Sequence, residues 1–213
     1  MRTNNRMQGL HLVLSTEPKP HLPIVELALA AIDGKVDSIQ FRHKGDYSRE
    51  LFAIVLDLVK ICKQVNIPLV INDRLDIALA TNASGVHLGQ TDLPLSVARK
   101  LLGADKLIGA TASTLEQAKR AEMEGADYVG FGHIFPTQTK IKTTPPVGLV
   151  ALREVCQQLN IPVVAIGGID AKNVDEVCQA GVSGVAIVSA ICASPTPRAA
   201  TATLKSIIQD NFQ

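Results

Sequence analysis

"TLEQAKRAEMEGADYVGFGHIF", residues 114–135, changes its period in mid-course. Up to Ala126 the apolar residues recur at helical spacing among charges; beyond it comes a nearly continuous run of apolar, aromatic and small residues. A helix with one apolar face, followed by a strand without polar alternation, fits a parallel sheet covered on both sides by its own crossover helices. If this is a building unit, it should recur along the chain.

It does recur. Strand-like runs stand at "GLHLVLS" (9–15), "DSIQFR" (37–42), "IPLVIND" (67–73), "GVHLGQ" (85–90), "KLIGATAS" (106–113), "ADYVGFGHIF" (126–135), "IPVVAIGG" (161–168) and "GVAIVSA" (184–190). Amphipathic segments such as 48–65, 114–126 and 151–160 lie between them. About eight strand–helix units with no linker predict an α/β fold, a closed (β/α)8 TIM barrel in which residues 1–213 form one domain. An open doubly wound sheet is the competing architecture, and the absence of GxGxxG after the first strand counts against it.

With 213 residues, 46% of them hydrophobic, the chain can bury one sizeable core. The net charge of +1 and 3% aromatic content without tryptophan disfavour nucleic acid as a partner. Cys62, Cys156, Cys178 and Cys192 form no CxxC pair, which argues against a zinc knuckle or a disulfide scaffold and for a reducing compartment. The first twenty residues lack a signal-type apolar region, and no run reaches the ~18 residues of a membrane span. A cytoplasmic protein acting on small molecules is expected, with self-association left open.

Barrels of this kind carry their chemistry at the carboxyl ends of the strands, and polar residues gather there. Gln40, Arg42 and Lys44 follow the second run, Asn72 and Asp73 the third, Gln90 and Asp92 the fourth, Thr111 and Ser113 the fifth. Thr137, Thr139 and Lys140 follow the sixth, Gly167 and Gly168 the seventh, and Ser189 the eighth. Asp73 and Asp92 stand after consecutive strands, about 4.8 Å apart in a sheet, so two hard oxygen ligands can converge on Mg²⁺ and leave positions for water and substrate. The simpler alternative is that each caps the helix that follows it. Arg42, Lys44 and Lys140 bring cations to the same rim, which suits phosphate. The Gly167-Gly168 pair and "VSAI" (188–191) suggest a second anion site after the last two strands.

"IQFRHK", "INDRLDIALA", "GVHLGQTDLP", "IGATAST", "GADYVGFGHIFPTQTK", "IPVVAIGGI" and "GVAIVSAI" together resemble the thiamin phosphate synthase family, in family order over nearly the whole chain. The resemblance implies a transferase of thiamin biosynthesis that couples hydroxymethylpyrimidine pyrophosphate to hydroxyethylthiazole phosphate and releases pyrophosphate. It implies that Gln40, Phe41, Arg42, His43, Lys44, Asn72, Thr111 and Lys140 hold the pyrimidine pyrophosphate. Asp73 and Asp92 would hold Mg²⁺, and Thr137, Gln138, Thr139, Gly168, Val188 and Ser189 the thiazole phosphate. Arg42, Lys44 and Lys140 would stabilise the departing pyrophosphate, with no protein nucleophile.

Three positions depart from the family pattern: His43 replaces a usual acidic residue, Thr111 a usual serine, and His133 a common proline. The third resembles the thiazole tautomerase branch, where a histidine at this place is associated with proton transfer. A tautomerase needs no pyrophosphate–metal site, whereas Asn72, Asp73, Asp92 and the Thr-x-Thr-Lys run are present here. A non-catalytic barrel that binds a thiamin precursor is the remaining alternative; it would not need Asp73, Asp92 and Lys140.

Overall fold

The computed structural model describes residues 7–17, 20–137 and 144–212. Eight strands pair in parallel and in chain order: β1 (Gly9–Ser15), β2 (Ser38–Arg42), β3 (Leu69–Asn72), β4 (Gly85–Leu88), β5 (Leu107–Ala112), β6 (Tyr128–Gly132), β7 (Val163–Ile166) and β8 (Gly184–Ile187). β8 pairs back onto β1, with Leu10 opposite Val185 and Leu12 opposite Ile187, so the sheet is a closed barrel. The expected (β/α)8 architecture is the one observed.

Around it lie α1 (Ile24–Asp33), α2 (Arg49–Gln64), α3 (Leu75–Ala80), α4 (Leu95–Leu102), α5 (Leu115–Met123), α6 (Gly148–Gln158), α7 (Val174–Cys178), a short α8 (Ser189–Cys192) and α9 (Pro197–Asn211). The starts of α2 and α5 are set by Ser48 and Thr114, whose hydroxyls accept the backbone N–H of Leu51 and Gln117. Among the described residues no helix is long and apolar enough to cross a membrane.

Alternation along the strands makes two separate cores. Leu10, Leu12 and Leu14 of β1 and Ile39 and Phe41 of β2 point outward and pack under the helices. Val13, Val70, Leu107, Tyr128, Val164 and Ala186 point inward and, with Met7, plug the barrel. The amino-terminal face is tied by carboxylates: Asp37 accepts the Leu10 N–H at 2.7 Å and the Lys205 ammonium of α9 at 2.6 Å. Asp127 accepts the Ile108 N–H at 2.8 Å and pairs with Arg99.

Large polar rings fit inside only where the opposing wall has no side chain. A Cβ added at Gly109 would stand 2.2 Å from the Tyr128 ring and 2.5 Å from His87 Nδ1. Gly109→Ala is therefore expected to lower unfolding free energy by about 1–3 kcal/mol through overpacking; the urea midpoint with an unchanged m-value checks it.

Candidate active site

A cavity of about 180 Å³ opens at the carboxyl ends of the strands. β2 sends Gln40 and Arg42 into it, while Phe41, one residue out of phase, is fully buried on the outer face. Arg42 is aimed by Ser15 of β1, whose hydroxyl accepts Nη1 at 2.9 Å and donates to the Glu17 carbonyl at 2.7 Å. His43 turns away to Thr16, 2.7 Å from its hydroxyl, and its ring meets Tyr47 edge-on. It braces the β2–α2 loop between Arg42 and Lys44 and does not line the cavity.

Deeper in, β3 contributes Asn72, buried, with an amide nitrogen that has no partner among the described residues. A buried donor left unpaired costs about 1–3 kcal/mol, so this group is suited to a ligand acceptor. His87 of β4 lies between the Tyr128 hydroxyl (3.0 Å from Nδ1) and the Thr111 hydroxyl (2.9 Å from Nε2). Burial pushes His87 down to about 4, against the pull of the Asp73 charge.

Next to Asn72, and outside the cavity lining itself, Asp73 forms an ion pair with Lys44 and neighbours Asp92. Its φ of 63° is left-handed, a conformation aspartate tolerates better than most residues. Burial would raise the Asp73 carboxyl, but the hydrogen bonds with Lys44 and Asp92 and the Lys44 charge outweigh it and hold it below the usual carboxylate range. Asp92 is shifted the other way: burial and the neighbouring Asp73 raise it, despite the Gly89 N–H donated at 2.6 Å. Neither carboxylate caps a helix. The residue preceding α3 is Arg74 and that preceding α4 is Pro94, neither with a side-chain cap bond. Asp92 instead closes its own loop onto Gly89, and the capping alternative fails for both.

Among the described residues no three or more His, Cys, Asp or Glu side chains converge on a metal position. Two neighbouring carboxylates beside the cavity nonetheless fit Mg²⁺, which takes most of its ligands from water and phosphate oxygens.

The opposite wall is built by β6, β7 and β8. Thr137, Gly168, Val188 and Ser189 line the cavity there, and Ser189 opens α8. Gly167 and Gly168 have φ of 102° and 70°; a Cβ on Gly168 would lie 2.5 Å from the Pro136 carbonyl oxygen. Glycine thus lets the loop after β7 nest against the loop after β6. His133 is buried in the wall, its Cβ 2.4 Å from where a Gly167 Cβ would be. Gln138, Thr139 and Lys140 lie outside the described residues.

Ser15 and Tyr128 escaped the reading of the rim because they lie on strands, at inward positions. Strict alternation within β1, through His11 and Val13, and within β6, through Gly130 and Gly132, would have marked them as inward.

A family model described as thiamine monophosphate synthase matches residues 10–191. The chain belongs to that family. It is 50% identical over 183 residues to a thiamine-phosphate synthase of Chlorobium phaeovibrioides, covering 86% of this chain and 88% of the relative. It is 47% identical over 185 residues to that of Chlorobium phaeobacteroides, covering 87% and 90%. Among solved structures, the thiamine phosphate pyrophosphorylase of Pyrococcus furiosus superposes with a TM-score of 0.87 at 35% identity, covering 99% of both chains. Thiamine monophosphate synthase membership agrees with the resemblance read from the motifs.

In this family member the barrel interior also holds His11 of β1, bonded to Ser38 and to the Met7 carbonyl. Burial pushes it down to about 4. The unfolded chain binds a proton there near pH 6.5 and the folded chain does not, so this stability is complete above pH 6.5 and is lost as pH falls toward 4. The loss should reach roughly 3 kcal/mol at pH 4. Urea unfolding at pH 7.5 and pH 5 checks it: His11→Gln should show a shallower fall in stability than the wild type.

Proposed function

We propose that this chain is a thiamine-phosphate synthase, a transferase joining 4-amino-5-hydroxymethyl-2-methylpyrimidine pyrophosphate to hydroxyethylthiazole phosphate, with thiamin phosphate and pyrophosphate as products. The observation that carries the reading is Asp73, paired with Lys44 and neighbouring Asp92, directly after Asn72, which lines the cavity with Gln40 and Thr111. That combination suits a pyrimidine inside and a metal-bound pyrophosphate outside. The similarity to thiamine-phosphate synthases over most of the chain supports it.

The reaction breaks the C–O bond at the pyrimidine methylene, with the electron pair leaving on pyrophosphate, and forms a bond from the thiazole nitrogen to that carbon. Arg42, Lys44 and Lys140 stabilise the charge that grows on the leaving group, which is worth most where the charges are already in place. Ser15 pre-aims Arg42, so little reorganisation is needed as the bond breaks. The carboxylates Asp73 and Asp92 would hold Mg²⁺, which when bound neutralises pyrophosphate oxygens. Thr137, Gly168, Val188 and Ser189, with Gln138 and Thr139, hold the thiazole phosphate so that its nitrogen faces the methylene.

Turnover should require a divalent cation, and Asp73→Asn and Asp92→Asn should each lower it about 10²-fold or more. Unchanged rates in chelator-treated protein would sink the mechanism.

His133 is buried in the cavity wall where a tautomerase would place its proton carrier, which motivates a second test. Lys140→Ala should cut coupling strongly while affinity for the thiazole phosphate stays near normal. His133→Ala should leave most of the coupling. The reverse pattern, normal coupling in Lys140→Ala and none in His133→Ala, would make the histidine the working residue.

A further inference from the structure

The loop after β7 has both of its glycine carbonyls tied back. The Gly167 carbonyl accepts the Phe135 N–H at 3.0 Å, and the Gly168 carbonyl accepts Nδ2 of Asn173 at 2.9 Å. In a trans peptide the N–H points opposite to the C=O, so the N–H groups of Gly168 and Ile169 face away from these anchors. Neither N–H has a partner among the described residues, and both residues line the cavity. Two consecutive donors of this kind suit an anion, provided the carbonyl oxygens stay turned away from it.

The two peptides are held differently. Backbone from the loop after β6 fixes the first, whereas the second, between Gly168 and Ile169, hangs on one side chain. Gly168 has φ of 70° and no Cβ to restrain it, so the peptide beyond it can turn over unless its carbonyl is held. Asn173, just before α7, holds it, and Oδ1 of the same amide accepts the Asp170 N–H at 2.9 Å. With an N–H on one side and a C=O on the other, the amide has a single orientation that satisfies both.

We propose that Asn173 is a positioning residue: it keeps the Gly168–Ile169 peptide turned with its carbonyl away from the cavity and its N–H toward it, and so sets how tightly this loop takes the phosphate of the thiazole substrate. Asn173 itself does not line the cavity. The inference rests on the reading that the thiazole phosphate lies against Gly168. It adds which residue outside the cavity prevents an acceptor from replacing a donor there.

The test is equilibrium binding of hydroxyethylthiazole phosphate and of unphosphorylated hydroxyethylthiazole to wild type, Asn173→Ala and Asn173→Asp, by calorimetry for the first ligand and ligand-observed NMR titration for the second. The wild type should bind the phosphate ester at least about tenfold more tightly. Asn173→Ala should weaken the phosphate ester about tenfold and leave the alcohol within about twofold, because a charge-assisted donor is lost and a carbonyl dipole can oppose the anion. Asn173→Asp keeps an acceptor for the Asp170 N–H and loses the donor to Gly168, so it should show the same selective loss and gives an answer if the alanine variant fails to fold. Its added charge is screened in high salt, so a loss that persists there reports the missing donor. In coupling assays the effect should fall on KM for the thiazole phosphate, with kcat and KM for the pyrimidine pyrophosphate near normal. A merely structural role would loosen the loop around the thiazole ring and weaken both thiazoles alike. Equal weakening, no change, or a loss in Asn173→Asp that salt abolishes while Asn173→Ala binds normally, overturns the role of Asn173. A wild type that binds both thiazoles equally overturns the placement of the phosphate against Gly168, and the inference with it. Selective loss in a protein that does not couple the two substrates overturns the synthase reading and upholds the role of Asn173.

Discussion

Closure of the sheet is the constraint on which the rest depends. Eight parallel strands leave two edges of unpaired backbone groups unless β8 finds β1, and here it does. Closure forces all eight carboxyl ends onto one rim and divides every strand into residues that face helices and residues that face a narrow interior. Ile39 and Phe41 are spent on stability, while Gln40 and Arg42, their immediate neighbours, face the cavity. One strand of five residues thus supplies both an anchor and two cavity-facing groups.

That narrow interior cannot be filled with polar groups at will. His11 and His87 are carried there neutral, held down by burial, each with both ring nitrogens in hydrogen bonds. Glycines opposite them provide the room: Gly184 beside His11, Gly109 and Gly130 beside His87. Against this satisfied background the Asn72 amide nitrogen stands out as a buried donor without a protein partner among the described residues. In a packed interior such a group is tolerated where a ligand completes it.

Much of the barrel was legible because its signals are local. The expected runs 9–15 and 184–190 contain β1 and β8, and 114–126 contains α5 with its capping threonine. Arg42, Asn72, Thr111, Gly168 and Ser189, which line the cavity, could be placed at strand ends for the same reason, since a strand end announces itself by a change in composition. What was not legible depends on contacts between strands far apart in sequence. The sequence could not tell that Tyr128 would meet His87 across the barrel, or that Ser15 would aim Arg42. Nor could it tell that His43 would face Thr16 and leave the cavity. Reading Gln40 to Lys44 as one continuous patch ignored the pleat, which turns Phe41 outward.

The carboxylates show most clearly why chemistry-bearing residue types do not sort themselves in a sequence. Asp37, Asp127 and Asp73 each stand beside a strand and each pairs with a cation. Asp37 and Asp127, on the amino-terminal face, also accept a strand N–H, from Leu10 and Ile108, so their bonds join neighbouring strands and helices into the frame. Asp73, on the other face, is bonded to a lysine whose side chain is 42% exposed and neighbours a second carboxylate. Two like charges in contact are a poor way to stabilise a fold. They make sense where a cation and an anionic ligand complete the set. The difference between Asp37 or Asp127 and Asp73 lies in what fills their bonding capacity, a strand N–H in the first two and an exposed lysine in the third.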